Sequence, residues 1–219
     1  MTQHIVYSYD KELNNLRNSV IEMAELVREL IVIAKRAVKE PGISYVELAN
    51  ITDRKINNYD DKIEELAIQV LALRQPMAVD LRHVVASLKL AVIIERMGDL
   101  TKKVSHRIEF LPITPTPKLM ELIQLVLEEL DRLLADVIKA YKNVDINLAA
   151  KVIKEDKLID SFYHKIMDLL NSELEKKPQQ ASSLLNLVLI ARNIERVGDY
   201  ITKIARITDY IVTGKKLKA

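Results

Sequence analysis

The sequence predicts an all-α protein: six long helices forming two pseudo-symmetric antiparallel three-helix bundles. Three observations carry this expectation. Turn residues are scarce, with only four Gly and six Pro in 219 residues. The apolar fraction, 49% of the chain, consists of Leu, Ile, Val, Ala and Met with eight Tyr and two Phe as the only aromatics; mixed with abundant Lys and Glu, this is a helical composition. Between the prolines, apolar residues recur at helical spacing, as in Ile56, Tyr59, Ile63, Leu66 and Val70.

The breakers place each helix. Proline inside a helix costs about 3 kcal/mol, so helices should stop at Pro41-Gly42, at Pro76 and at Pro178. Pro112, Pro115 and Pro117 cluster in Leu111-Pro-Ile-Thr-Pro-Thr-Pro-Lys118, the one obvious linker. Asn143-Val-Asp-Ile-Asn147 supplies a further boundary without proline. The expected helices are 10–39, 44–73, 78–109, 118–142, 146–175 and 180–212. Residues 1–111 and 118–219 then form one three-helix unit each, joined by the linker 112–117.

The two units are a duplication. Ile94-Glu-Arg-Met-Gly-Asp-Leu-Thr-Lys-Lys-Val104 returns as Ile194-Glu-Arg-Val-Gly-Asp-Tyr-Ile-Thr-Lys-Ile204, in the third helix of each unit. A weaker echo links Asp53-Arg-Lys-Ile-Asn57 with Asp156-Lys-Leu-Ile-Asp160 in the second helices. The stronger motif breaks two local rules in both copies. Glu95 and Asp99, like Glu195 and Asp199, place like charges on neighbouring turns. Gly98 and Gly198 sit mid-helix, at a cost of up to about 1 kcal/mol relative to alanine. On a helical wheel the carboxylates continue an apolar stripe: Leu81, Val84, Val85, Leu88, Ala91 and Val92 in one copy, Leu184, Leu185, Val188 and Ala191 in the other. Carboxylates that lose water side by side are destabilised unless a cation joins them. Asp53 with Asn57, and Asp156 with Asp160, lie to one side of their own stripes. Antiparallel packing would bring each pair beside a Glu-x-x-x-Asp pair, giving an oxygen-only cluster suited to magnesium, manganese, calcium or iron.

Plainer readings compete. Arg96, Lys102 and Lys103 are close to the first motif, and Asp99 with Lys103 is an ordinary i, i+4 pair of a solvated face. The glycines serve equally well to let helices approach. Asp80 and His83 share the spacing of one element of a ferritin-like site, but neither unit has a Glu-x-x-His motif, and Asp80 is also a first-turn acid facing the helix dipole.

Composition narrows the function. With 33 Lys+Arg against 31 Asp+Glu, net +2, the chain lacks the basic excess of a dedicated nucleic-acid binder. There is no cysteine, hence no disulfide or thiolate metal site. The first ten residues show no signal-peptide pattern, and the most apolar run, Val84–Ile94, is too short to span a membrane and carries Lys89. The expectation is a soluble cytoplasmic protein. No phosphate loop, nucleophile elbow or Cys/His constellation is present, so it is not expected to be an enzyme.

At this point the sequence resembles the PhoU family of phosphate-specific transport accessory and regulatory proteins. The carriers are Arg74-Gln-Pro-Met-Ala-Val-Asp-Leu-Arg82, Glu95-Arg-Met-Gly-Asp99 and Glu195-Arg-Val-Gly-Asp199, with Asp53 and Asp156-x-x-x-Asp160 as weaker matches. The resemblance implies two three-helix bundles and a negative regulator of the phosphate-starvation response. It further implies an adaptor between the ATPase subunit of a phosphate ABC transporter and a sensor histidine kinase, and a homodimer. It also implies metal binding, including multinuclear clusters, of iron, zinc, manganese or magnesium. By resemblance the ligands are Asp53, Asn57, Glu95, Asp99, Asp156, Asp160, Glu195 and Asp199. Asn57 stands where the family pattern has a carboxylate, so the first cluster is expected to hold fewer or weaker ions. The second unit also lacks Asp-Leu-Arg, having Ala181-Ser-Ser-Leu184 after Pro178. Two rival readings are a metal-free helical interaction module, resembling co-chaperone three-helix bundles, and a ferritin-like oxidase, against which the missing histidines argue.

Overall fold

A computed structural model of the chain describes residues 2–111 and 115–215. It contains α1 (Thr2–Lys39), α2 (Val46–Arg74), α3 (Ala78–Glu109), α4 (Pro117–Asn143), α5 (Ile146–Lys176) and α6 (Ala181–Thr213), with a 3₁₀ turn over Pro178–Gln180 before α6. Each break lies where a breaker was expected. Pro117 opens α4 rather than merely preceding it, because its missing N–H is no loss in a first turn. The main difference is α1, which starts at Thr2 instead of residue 10; no Gly or Pro precedes Pro41 to stop it.

The proline-free boundary is built from caps. Val144 closes α4 in the left-handed region (φ 55°), an outlier for a β-branched residue. The Asp145 N–H donates back to the Ala140 carbonyl (2.9 Å) while Asp145 Oδ1 accepts from the Asn147 and Leu148 N–H groups (3.0 Å each) and caps α5. The turn between α2 and α3 also holds two left-handed non-glycine residues, Gln75 and Ala78, around Pro76.

Each unit is an antiparallel three-helix bundle, and the two lie side by side. The helices α1, α3, α6 and α4 pack in a ring, while α2 covers α1 and α3 from outside and α5 covers α4 and α6. One continuous core results, with Leu30, Ile94 and Met97 of the first unit and Leu134, Ile190 and Ile194 of the second all buried. Ion pairs tie the units together: Arg28 Nε lies 2.9 Å from Asp131 Oδ1 across α1 and α4. At one end of the α3–α6 seam Arg82 Nε donates to the Ile211 carbonyl (3.0 Å), and at the other Arg107 donates to Asn186 Oδ1 (3.2 Å). Among the described residues no helix is long and apolar enough to cross a membrane.

The shared core corrects one sequence expectation. On α3 the buried face runs through Val84, Ser87, Leu90, Ala91, Ile94, Met97 and Gly98, whereas Leu81 and Val92 are exposed; on α6 Leu184 and Ala191 are buried but Leu185 is 61% exposed. A helix that meets three neighbours is apolar around much of its circumference, so two overlapping stripes fit the pattern and only packing chooses between them. The motif carboxylates therefore flank the core instead of continuing into it.

Candidate functional site

Gly98 and Gly198 fix the register of each cluster. A β-carbon on Gly98 would sit 2.9 Å from Ile56 Cδ1, and one on Gly198 3.0 Å from Ile159 Cγ2. The glycines thus admit an isoleucine of the covering helix, and Ile56 and Ile159 occupy equivalent places, three residues after Asp53 and Asp156. This contact sets α2 on α3, and α5 on α6, so that the second-helix acids face the third-helix acids.

In the first unit Asp53 is buried, Glu95 and Asp99 are half-buried and Asn57 is exposed. The cluster is closed by lysines. Lys102 Nζ lies 2.5 Å from Asp53 Oδ2 and 3.6 Å from Asp99 Oδ1, and Lys103 Nζ lies 2.5 Å from Asp99 Oδ2. Burial works against the charge on Asp99, but Lys103 and Lys102 outweigh it and hold the carboxyl below its ordinary value. Burial pushes Glu95 up, with Asp99, Asp60 and Asp53 adding to the push and Arg96 opposing it.

The second unit has one acid more, Asp160 in the place of Asn57, and among the described residues no lysine engages its acids. Asp156 and Glu195 are half-buried, Asp160 and Asp199 exposed. Thr202 occupies the position of Lys102, and Lys203, the counterpart of Lys103, sits 4.4 Å over the ring of Tyr200. Among the described residues none of the four acids makes an ion pair. Burial raises Asp156, the Thr202 hydroxyl beside it and Arg206 oppose this, and Asp160 and Asp199 add to it. Glu195 is likewise raised by burial and then by Asp199 and Asp160, against Arg192 and Arg196. The Thr202 hydroxyl is buried and makes no hydrogen bond of ordinary geometry.

Sequence reasoning thus named the acids but treated Lys102 and Lys103 only as surface charges, and it passed over Thr202 and Tyr200. The signal was readable: aligning the two copies sets Leu100-Thr-Lys-Lys103 against Tyr200-Ile-Thr-Lys203. Asp80, placed in the first turn of α3, accepts a hydrogen bond from Tyr9 (2.8 Å), while His83 meets Arg17 instead of an acid.

Among the described residues no three His, Cys, Asp or Glu side chains converge as a ready set of metal ligands. The donor chemistry of the two halves nevertheless differs. In the second, crowded carboxylates and the Thr202 hydroxyl beside Asp156 offer only oxygen donors, the kind a hard cation takes. In the first, the Lys102 ammonium lies between Asp53 and Asp99.

Comparison with known proteins agrees with this architecture. The PhoU domain family profile matches residues 20–108 and 123–208. The chain is 32% identical over 218 residues, 99% of its own length and 95% of the relative's, to a phosphate-specific transport system accessory protein PhoU homolog of Caulobacter vibrioides. It is 27% identical over 219 residues to the homolog of Pseudomonas aeruginosa, covering 100% of this chain and 90% of that one. Among solved structures, PhoU from Pseudomonas aeruginosa superposes with a TM-score of 0.88 at 27% identity, over 94% of this chain and 100% of that one. The phosphate transport system regulatory protein PhoU from Streptococcus pneumoniae shares the fold with a TM-score of 0.86 at 24% identity, over 96% and 100%.

Proposed function

Because this chain belongs to the PhoU family, we propose that it regulates phosphate uptake as a negative regulator of the phosphate-starvation response. It acts as a cytoplasmic adaptor, and not as a catalyst, between the ATPase subunit of a phosphate ABC transporter and a sensor histidine kinase. It works as a homodimer. The observation that carries this reading is the match of both halves of the chain to one domain, along nearly the full length of relatives named as accessory proteins of phosphate-specific transport.

A metal belongs to this proposal. Asp156, Asp160, Glu195 and Asp199 would hold a divalent or transition ion, which would neutralise their mutual repulsion and cross-link α5 to α6. The support is the raised carboxyls of Asp156 and Glu195 and the buried Thr202 hydroxyl set beside Asp156 between the same two helices. The chain's residues do the rest. The Gly198–Ile159 contact holds the acids in register, and the seam along α3 and α6 passes any change at the cluster to the first unit.

The test is expression of the chain in cells deleted for their own regulator. A starvation-promoter reporter should fall to its repressed level in phosphate-rich medium, and the transporter ATPase subunit should co-purify with the tagged chain. A reporter left fully active by a folded, expressed chain would refute the regulatory role. A metal-free interaction module would restore repression with no dependence on metal.

A further inference from the structure

The two clusters are related by duplication, so a difference between them at one register position isolates what that position does. At the position three residues beyond the motif aspartate, the first unit has Lys102 and the second Thr202. Lys102 Nζ stands between Asp53 Oδ2 (2.5 Å) and Asp99 Oδ1 (3.6 Å), bridging the covering helix α2 to α3. Its side chain is only 21% exposed and that of Asp53 11%, so this is not a loose surface pair. Lys103 takes the other oxygen of Asp99 at 2.5 Å. Every feature a metal would supply there is already present: positive charge between the carboxylates, a link between two helices, and donors for the buried Asp53 oxygens. A divalent ion entering this site would have to expel the ammonium or sit beside it, like charge against like charge in a partly dry place.

In the second unit both lysines are withdrawn. Thr202 sets a buried hydroxyl beside Asp156 where the first unit has an ammonium, and Lys203 lies over Tyr200. Arg206, Arg192 and Arg196 act on the acids from a distance without pairing with them.

We infer that Lys102 is a built-in counter-ion standing in for the metal in the first half, so that this chain binds its metal in the second half alone. The inference rests on the metal reading of the second cluster proposed above. It makes the chain asymmetric by design of sequence: one cluster is permanently closed, and the other responds to the supply of a cation.

The experiment is equilibrium dialysis of the full chain against Mn²⁺, with bound metal per chain read by elemental analysis and by electron paramagnetic resonance. Four proteins are compared with the wild type: Lys102→Thr, Thr202→Lys, the pair Asp53→Asn/Asp99→Asn, and the pair Glu195→Gln/Asp199→Asn. Circular dichroism checks that each is folded. The near-isosteric pair Glu195→Gln/Asp199→Asn, at a half-buried and an exposed position, covers the case in which the buried Thr202→Lys change prevents folding. The wild type should hold Mn²⁺ in a manner unaffected by Asp53→Asn/Asp99→Asn. Retention should be weakened at least tenfold by Thr202→Lys and by Glu195→Gln/Asp199→Asn. Lys102→Thr should open additional binding in the first half. No additional Mn²⁺ in Lys102→Thr would overturn the role of Lys102 while leaving the second-half metal in place. Wild-type Mn²⁺ lost on Asp53→Asn/Asp99→Asn would put the metal in the first half and overturn the inference and the second-half reading together. No Mn²⁺ bound by the wild type or by any variant would remove the metal reading itself, and this inference with it.

Discussion

Ile56 fills the space that a side chain on Gly98 would need, and Ile159 does the same at Gly198, but the two contacts are not equally tight. At Gly98 the near atoms are two methyls of Ile56, Cδ1 at 2.9 Å and Cγ2 at 3.4 Å from an added β-carbon. At Gly198 three atoms of Ile159 crowd in: Cγ2 at 3.0 Å, and Cβ and Cγ1 at 3.4 Å. A terminal methyl swings aside, whereas a branch point moves only with its backbone. Alanine gains about 1 kcal/mol of helix propensity at either place, against overpacking of about 1–3 kcal/mol. Gly98→Ala should therefore be close to neutral, and Gly198→Ala should destabilise by about 1–2 kcal/mol. Urea unfolding of the two variants measures the difference; equal midpoints would contradict it.

Arg82 belongs to the Asp-Leu-Arg element that the second unit lacks, and its structural use is a clasp. Its guanidinium donates to the Ile211 carbonyl at the C-terminal end of α6 and packs against Gly214, which is left-handed at φ 68°. A cation there also complements the helix dipole. Arg82→Ala should lower stability by about 1 kcal/mol, the value of a partly exposed charge-assisted hydrogen bond. Arg82→Lys should recover only part, because an ammonium keeps the charge without the planar fork. Amide exchange at the end of α6 should quicken in Arg82→Ala; unchanged exchange there would show the clasp to be idle.

His83 gives a pH signature. Burial, with Arg17 at 3.2 Å and Arg82 near, lowers its pKa from 6.5 to about 4 in spite of Asp80. The folded state thus refuses a proton that the unfolded chain accepts. The resulting stability is complete above about pH 6.5, drains away as the pH falls, and levels off only near pH 4, where folded His83 is itself protonated. In thermal melts, the advantage of wild type over His83→Asn should shrink steadily from pH 7 to pH 4. A difference that stays constant over this range would mean that His83 is not excluded from protonation.

Much of this was legible in the sequence, for identifiable reasons. Prolines and glycines are strong local signals, so five of the six helix starts fell within two residues of their places, and α1 was misplaced because its start has no breaker. Duplication gave the acids, since a motif that breaks helix rules twice is hard to attribute to chance. The packing of unit on unit was not legible. Whether Leu81 or Leu90 faces the core of α3 depends on α6, more than a hundred residues away, and periodicity is silent about distant partners. The role of Lys102 was hidden for a related reason: its spacing to Asp99 reads as a surface pair until Asp53 arrives from α2. On α4, Asp131 is engaged by Arg28 and Asp136 by Arg132, so neither is a neutral position. Asp168 and Glu175 of α5 are exposed and serve as neutral controls for mutagenesis.

The most direct test of the account compares the two clusters in a living cell. Cells deleted for their own regulator would carry the wild type, Asp53→Asn/Asp99→Asn, Glu195→Gln/Asp199→Asn, or the control Asp168→Asn/Glu175→Gln. Repression of a starvation promoter would be read in phosphate-rich medium, with metal content measured on protein purified from the same cultures without chelator. The wild type, the control and the first-half pair should repress and retain metal, whereas Glu195→Gln/Asp199→Asn should lose both while remaining helical and expressed. Full repression by Glu195→Gln/Asp199→Asn, with its metal confirmed absent, would contradict the account and leave regulation to the helix surfaces alone.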